Sequence, residues 1–333
     1  MRRWVLLIVC LLASLPAFGN SAVVLVYHRF GEDRYPSTSI RVEQFEAQLE
    51  HLRDGGYTVV PLADVLAALK GDKALPDRAV AITIDDAYAS IYEVAWPRLA
   101  EFGYTATVFV ATDPVDDGLP AYMNWAQMRE LQAAGISFAN HGASHRSYLT
   151  LRLEEVRADI EKGARRLSTE LAPLTGAFAY PNGEYDTKRA AAVREFGYVA
   201  FSQQSGAVDA RSDRRALARF PMAGAFGDID EFRTKVASLP LPIRGIDPWD
   251  PVVRNNPPRV TFTLGNSAAR LGELSCFVSG QGRVPLQWLE QNRRFIVQAG
   301  RQLEPGRHRV NCTAPRDDGR YEWFSHPWFV VAK

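Results

Sequence analysis

The chain has 333 residues and a mass of 37.1 kDa, room for about two domains of ordinary size. Hydrophobic residues make up 47% and charged residues 23%, with 39 Lys plus Arg against 38 Asp plus Glu. That balance excludes a disordered chain and supplies no broad basic field for nucleic acid or an anionic membrane surface.

Arg2 and Arg3 precede an apolar run from Trp4 to Leu12, and Ala17-Phe18-Gly19 sets small residues where a signal peptidase reads. The pattern predicts a secretory signal over residues 1–19, too short for a lasting span, and an exported protein, periplasmic or secreted. An uncleaved N-terminal anchor is the competing reading. No other stretch approaches the run of about 18 apolar residues a membrane helix needs, so no stable span is expected after cleavage. Cys10 lies in that run. Cys276 and Cys312 remain, both in strand-like surroundings, and are expected to form a disulfide in an oxidising compartment.

From residue 20 to 239 short apolar runs alternate with amphipathic stretches. Strands are predicted at Val23–Tyr27, Thr58–Val60, Val80–Ile84, Thr107–Val110, Ile136–Ala139, Ala177–Ala179 and Tyr198–Phe201. Helical spacing marks Val42–Leu52, Trp125–Ala133 and Leu153–Leu171. Glu101-Phe102-Gly103-Tyr104 recurs as Glu195-Phe196-Gly197-Tyr198, echoed by Asp54-Gly55-Gly56-Tyr57 and Gly135-Ile136. In each, Gly closes a helix in the left-handed conformation and the next residue opens a strand. Repeated βα units imply a parallel sheet, and seven or eight strands without a Gly-rich dinucleotide fingerprint favour a distorted (β/α) barrel over an open sheet.

Prolines at 240, 242, 248, 251, 257 and 258 predict a linker over 240–258 without regular structure. Beyond it, Arg259–Leu264, Leu274–Val278, Arg294–Gln298, His308–Thr313 and Tyr321–Val331 alternate as strands do. Residues 259–333 therefore read as a small, Ig-like β-sandwich accessory domain.

In such α/β folds reactive residues gather where strands end. Strand Ala79–Ile84 runs into Asp85-Asp86, Ile136–Ala139 into Asn140-His141-Gly142-Ala143-Ser144-His145, the first strand into Tyr27-His28, and Ala177–Ala179 into Tyr180-Pro181-Asn182-Gly183. Adjacent aspartates repel unless a cation compensates, and two histidines four apart can ligate one metal from a helical turn. Alone, an Asp-Asp pair is far more often a turn or cap, and a His pair a helix surface. Both at strand ends, they point to a metal bound by one Asp and two His, with positions left open for water and substrate.

These residues resemble the polysaccharide deacetylase family (NodB homology, carbohydrate esterase family 4). Thr83-Ile84-Asp85-Asp86-Ala87-Tyr88 is similar to its first motif, Thr-Phe-Asp-Asp-Gly. His141-Gly142-Ala143-Ser144-His145 resembles its second, His-Thr-x-x-His, and Ala179-Tyr180-Pro181-Asn182-Gly183 its third, Arg-Pro-Pro-Tyr-Gly. The resemblance covers about Val23 to Leu239 and implies a distorted (β/α) barrel. It also implies Asp85 as general base, Asp86, His141 and His145 as ligands of a divalent metal, and the backbone N–H of Asn182 as oxyanion donor. Zinc leads by ligand type, with cobalt, nickel or iron also compatible.

The sequence departs from that pattern twice. Ala179 stands where the third motif has Arg, and Arg219 is the substitute partner for the catalytic Asp, with an exposed surface arginine as its alternative. No Leu-x-His follows His145 in the barrel. Val24-Leu25-Val26-Tyr27-His28 and Pro36-Ser37-Thr38-Ser39-Ile40 resemble the branch that deacetylates poly-N-acetylglucosamine, which implies His28 as the candidate general acid, with a satisfied structural histidine as the alternative. Tyr180 and Trp125 are read as substrate-binding, with ordinary core packing as the alternative for Trp125. The implied reaction removes N-acetyl groups from a polysaccharide of N-acetylhexosamine. O-deacetylation, or glycan binding without catalysis on the same scaffold, are the competing readings. No nucleic-acid partner is expected, and the sequence leaves the oligomeric state open.

Overall fold

The computed structural model describes residues 18–19 and 21–331. The signal expected over residues 1–19 lies outside this range except for Phe18–Gly19, a two-residue strand paired with Leu75–Pro76.

Seven strands form the path of a nine-stranded main sheet: β1 (Ser21–Tyr27), β2 (Ala79–Asp85), β3 (Thr107–Val110), β4 (Ser137–Asn140), β5 (Ala177–Ala179), β6 (Val199–Phe201) and β7 (Ala207–Asp209), with the short Thr58–Val59 beside β2 and Phe220–Pro221 beside β1. The seven lie in the order β6-β5-β4-β3-β2-β1-β7, parallel except for β7. β2 is buried from end to end and β1 from Ala22 onward, which is why both read as continuous apolar runs rather than alternating ones. Helices α1 (Val42–Asp54), α2 (Leu62–Lys70), α3 (Trp125–Ala133), α4 (Leu153–Glu170), α5 (Thr187–Glu195) and α6 (Ile229–Val236) fill the crossovers and the end of the sheet. α1 turns Phe45, Leu49 and Leu52 inward. α3 starts at Asn124, whose Oδ1 accepts from the Gln127 N–H at 2.9 Å while the Gln127 side chain accepts from the Asn124 N–H, a reciprocal cap. The repeated Gly signal has its expected origin: Gly56, Gly103, Gly135 and Gly197 all have positive φ.

The sheet is curled, and one segment spans its open side. Leu217 bridges Phe201 at the end of β6, and Phe220–Pro221 pairs in parallel with Leu25–Val26 of β1. Residues 217–221 thus complete the barrel, and Arg219 lies in this closing segment.

The C-terminal part is all β: β8 (Ile243–Asp247), β9 (Arg259–Leu264), β10 (Ser275–Val278), β11 (Gly282–Val284), β12 (Leu286–Glu290), β13 (Arg294–Gln298), β14 (Gly306–Pro315) and β15 (Tyr321–Val330). One sheet runs β15-β14-β10-β11, the other β8-β9-β13-β12, and Val260, Phe262, Val297, Val310 and Trp328 pack between them. The stretch expected to be a featureless linker contains β8, which pairs antiparallel with β9. Five proline-free residues between Pro242 and Pro248 suffice for a strand at a sheet edge. Cys276 and Cys312 are bonded, directly opposite each other on β10 and β14. The link lies within one sheet, unlike the inter-sheet bond of immunoglobulin domains.

The two parts are packed together. Leu239–Pro240 joins the edge of β15 in parallel, Trp323 meets Phe220 edge-on with ring centroids 5.1 Å apart, and Tyr185 packs against Trp249 and Phe329. Residues of β14 and β15 consequently face the end of the barrel where its strands terminate.

The disulfide closes a loop of 36 residues. Replacing both cysteines with alanine is expected to lower stability by about 2–4 kcal/mol, mainly by freeing the unfolded chain. Urea unfolding of the oxidised protein and of C276A/C312A measures this, and a loss below about 1 kcal/mol would contradict it.

Candidate active site

The parallel strands bring their C-terminal ends to one rim. There β1 delivers His28, β2 delivers Asp85 and Asp86, β4 leads into His141, β5 into Asn182 and β6 into Gln203. Asp86 and Ala87 both adopt positive φ, 78° and 60°, as do His145 and Asn182. Such backbone conformations are unfavourable for residues with a Cβ and concentrate at functional sites. The turn at Asp86 separates the two neighbouring carboxylates, one directed into the barrel and the other to the rim.

Asp86 Oδ1 lies 3.2 Å from His141 Nε2 and 2.9 Å from His145 Nε2. His141 Nδ1 is 2.7 Å from the Ala179 carbonyl. A carbonyl only accepts, so this nitrogen carries the proton, and in the neutral ring Nε2 presents a lone pair to a carboxylate oxygen. Two lone pairs at that distance repel unless a cation lies between them. The three donors are mutually within 4.8 Å, and Oδ1 is buried without a conventional hydrogen-bond partner among the described residues. The set fits a divalent ion with nitrogen and oxygen ligands. Burial alone would raise the Asp86 pKa, but the two imidazoles beside it outweigh that and hold the carboxyl well below its usual range.

The loop carrying the histidines has its own brace. Asp159 of α4 accepts from the N–H groups of Ala143 and Ser144 and from the Tyr148 hydroxyl. Gly142 passes so close that a Cβ there would stand 2.3 Å from Asp159 Oδ2, so only glycine fits.

Asp85 is wholly buried and paired bidentately with Arg219, Nη1 to Oδ1 at 2.7 Å and Nη2 to Oδ2 at 2.8 Å, both side chains 0% exposed. Arg219 also donates Nε–H to the Ser202 carbonyl and Nη1–H to Thr83 Oγ1. Burial works against the Asp85 charge, yet the adjacent guanidinium lowers its pKa below the ordinary value. Arg219 is therefore no surface residue. It comes from the closing segment and reaches Asp85 as the partner the third motif lacks. His28 Nε2 stands 3.9 Å from Asp85 Oδ2 and 3.3 Å from Gln203 Nε2. Its pKa is lowered, by burial first, with the two aspartates pulling the other way.

His28, Asp86, His145 and Asn182 line a cavity of about 440 Å³, within the ~300–1,000 Å³ usual for ligand sites. Asn182 sits at its lip in the Pro181–Gly183 turn. Tyr180 does not reach it: the ring is buried against Tyr185, and its hydroxyl donates to the Arg215 carbonyl at 2.7 Å. Trp125 does not line it either, because its indole N–H is held by Asp116 and Arg166 covers its ring. The third motif gives Tyr180 a substrate role, and Trp125 has one as an aromatic that could line the pocket or stack on sugar, but their packing directs both elsewhere. Sequence reading missed Gln203 and Asp159. Gln203 follows a strand end, the rule that found the other residues. Asp159 lies mid-helix, where nothing local separates a brace from a solvated carboxylate.

Residues 72–201 match the family model for polysaccharide deacetylase, so this α/β part of the chain is similar to that family. YxkH of Bacillus subtilis (strain 168), named for the same family, is 27% identical over 199 residues, 59% of this chain and 69% of its own length. The poly-beta-1,6-N-acetyl-D-glucosamine N-deacetylase of Escherichia coli (strain K12) is 26% identical over 246 residues, 60% of this chain but 36% of that protein. Among solved structures, IcaB from Ammonifex degensii superposes with a TM-score of 0.56 at 27% identity, over 66% of this chain and 97% of that one.

Two expectations follow from the geometry. His145 has a raised pKa beside Asp86 and must lose its proton to ligate. Affinity for Zn²⁺ is expected to rise with pH until that pKa is passed, and to fall by about tenfold per unit below it. Calorimetric titration across pH 5–8 measures this, and a flat profile would contradict it. Arg219→Met leaves Asp85 buried without its cation and is expected to cost about 3–5 kcal/mol of stability. A urea midpoint unchanged in this variant would refute the structural role of the pair.

Proposed function

We propose that this chain is a member of the polysaccharide deacetylase family, a metal-dependent hydrolase that removes N-acetyl groups from an exported polysaccharide of N-acetylhexosamine. The observation that carries the reading is the convergence of Asp86 Oδ1, His141 Nε2 and His145 Nε2 at one cavity, with the Asp85–Arg219 pair and His28 beside it. A divalent ion held by the triad, zinc first and cobalt, nickel or iron by the same ligands, would polarise the acetamide carbonyl and acidify the attacking water.

In this reading Asp85 is the base. Arg219 keeps it ionised and oriented, and it takes one proton from the water that attacks the carbonyl carbon. The Asn182 N–H faces the developing oxyanion. The C–N bond then breaks only if the nitrogen gains a proton, because an amide anion is a very poor leaving group. Burial leaves His28 without a proton of its own near neutral pH. The proton it hands to the nitrogen is the one the water lost, passed from Asp85, 3.9 Å away here, through one water or after the pair closes to hydrogen-bond distance with substrate bound. Gln203 positions the His28 ring. Residues 20–239 form the catalytic domain in this account, 240–258 its connection and 259–333 an accessory domain. Residues 1–19 direct export to the periplasm or beyond. The relatives named for poly-beta-1,6-N-acetyl-D-glucosamine support N-acetylglucosamine as the residue deacetylated, within a polymer whose other sugars they do not fix.

The test is acetate release from N-acetylglucosamine oligomers by the purified chain, with chelator and then with Zn²⁺, Co²⁺ or Ni²⁺ restored. Metal-dependent release is expected, reduced by about 10²–10⁴-fold in Asp85→Asn. Tight metal binding without acetate would favour an O-acetyl substrate or glycan binding alone. His28→Gln is expected to lower kcat on an acetamide by about 10²-fold or more and on an acetate ester by far less, since an alkoxide leaves more readily. Equal losses on both substrates would remove His28 from the role of acid.

A further inference from the structure

The wall of the cavity opposite the metal triad comes from the β part. On β14 side chains alternate across the sheet: Val310 and Cys312 enter the sandwich core, while Arg307 and Arg309 face the barrel. Arg307 Nη1 donates to the Asn182 carbonyl at 2.8 Å. Arg309 Nη1 donates to the Gln203 carbonyl at 3.3 Å and to Ser205 Oγ at 3.4 Å. Both arginines therefore touch loops that carry site residues, and both line the cavity.

Their charges are unevenly answered. Arg307 has one carboxylate oxygen, of Glu184, at 4.0 Å. Arg309 forms no ion pair among the described residues, although its side chain is partly buried, and its Nε and Nη2 groups make no hydrogen bond there. Among the described residues Asp86 is the sole carboxylate lining the cavity, and it faces the two histidines. A guanidinium withdrawn from water without a counter-charge is costly, and an ion at the triad would make the cavity more positive still. Beside Arg309, with Cζ 5.7 Å from its ring centroid, stands Phe226, 49% exposed. An exposed aromatic face next to a free cation suits a sugar ring bearing an acid.

Resting on the reading of this cavity as a deacetylase cleft, we propose that Arg307, Arg309 and Phe226 form a subsite for a carboxylate-bearing sugar adjacent to the residue being deacetylated. The β part then sets substrate choice: it favours an N-acetylated polymer that carries uronic acid and disfavours one already rich in free amines. The guanidinium fork takes the carboxylate through paired N–H groups, and the ring stacks on Phe226. A neighbouring ammonium in the same place would meet two like charges.

The experiment compares alternating N-acetylglucosamine–glucuronate oligosaccharides with the same oligosaccharides after carboxyl reduction. Binding to the full chain is measured by calorimetry and acetate release in parallel. The acidic form is expected to bind about tenfold more tightly, with the preference shrinking as salt is raised from low to ~0.5 M. R309Q and R307Q are each expected to move the ratio toward one, and circular dichroism confirms that they fold. Equal binding of the two forms by the unaltered chain, or a preference untouched in both variants, overturns the subsite. Acetate release from neutral N-acetylglucosamine oligomers reports separately on the deacetylase reading. If neutral oligomers are deacetylated without an acid preference, the subsite alone fails.

Discussion

Two adjacent carboxylates buried at one strand end stay ionised together only if each is given its own cation. The rest of the site follows from how this fold meets that demand. Asp85 takes Arg219 through a bidentate pair shut off from water, and Asp86, turned aside by its positive φ, takes the two imidazoles and the position between them. Without Arg219, Asp85 would be driven to hold its proton and could accept none. Without a cation at the rim, Asp86 and His141 would oppose lone pairs. One pair of identical side chains thereby acquires two different tasks.

The same pair ties chemistry to architecture. Arg219 stands in the segment that closes the barrel between β6 and β1, so the contact that holds Asp85 ionised also fastens the seam. Gln203, on the loop after β6, reaches His28 at the end of β1, a second polar tie across the same seam. The β part adds contacts from outside, with Arg307 on the Asn182 loop and Arg309 on the Gln203 loop. The cleft is built by both parts of the chain, which is why its basic wall is invisible from the barrel alone.

Much of this was legible in the sequence because it is local. Val23–Tyr27, Val80–Ile84 and Thr107–Val110 announce strands through continuous β-branched and apolar runs. The Gly-aromatic repeats mark where helices stop, and the residues after each strand name the site. What is non-local was harder. Arg219 could be suggested from the missing third-motif Arg, but its burial depends on a closing segment with no periodicity to mark it. Neither the motif that holds Tyr180 nor the aromatic character of Trp125 says anything about side-chain direction: a hydroxyl satisfied by Arg215 and an indole satisfied by Asp116 turn both away. β8 was hidden among prolines, since a five-residue edge strand tolerates them at its ends. Arg307 and Arg309 lie more than 100 residues from the loops they touch, a distance that spacing arguments do not cross.

The measurement that bears most directly on the account is anomalous diffraction at the zinc edge from crystals of the full chain grown with one equivalent of Zn²⁺. The account predicts a single peak within bonding distance of Asp86 Oδ1, His141 Nε2 and His145 Nε2, lost in crystals of His141→Ala. A peak elsewhere, or none at the triad in a crystal whose zinc content is confirmed, would contradict the account at its centre.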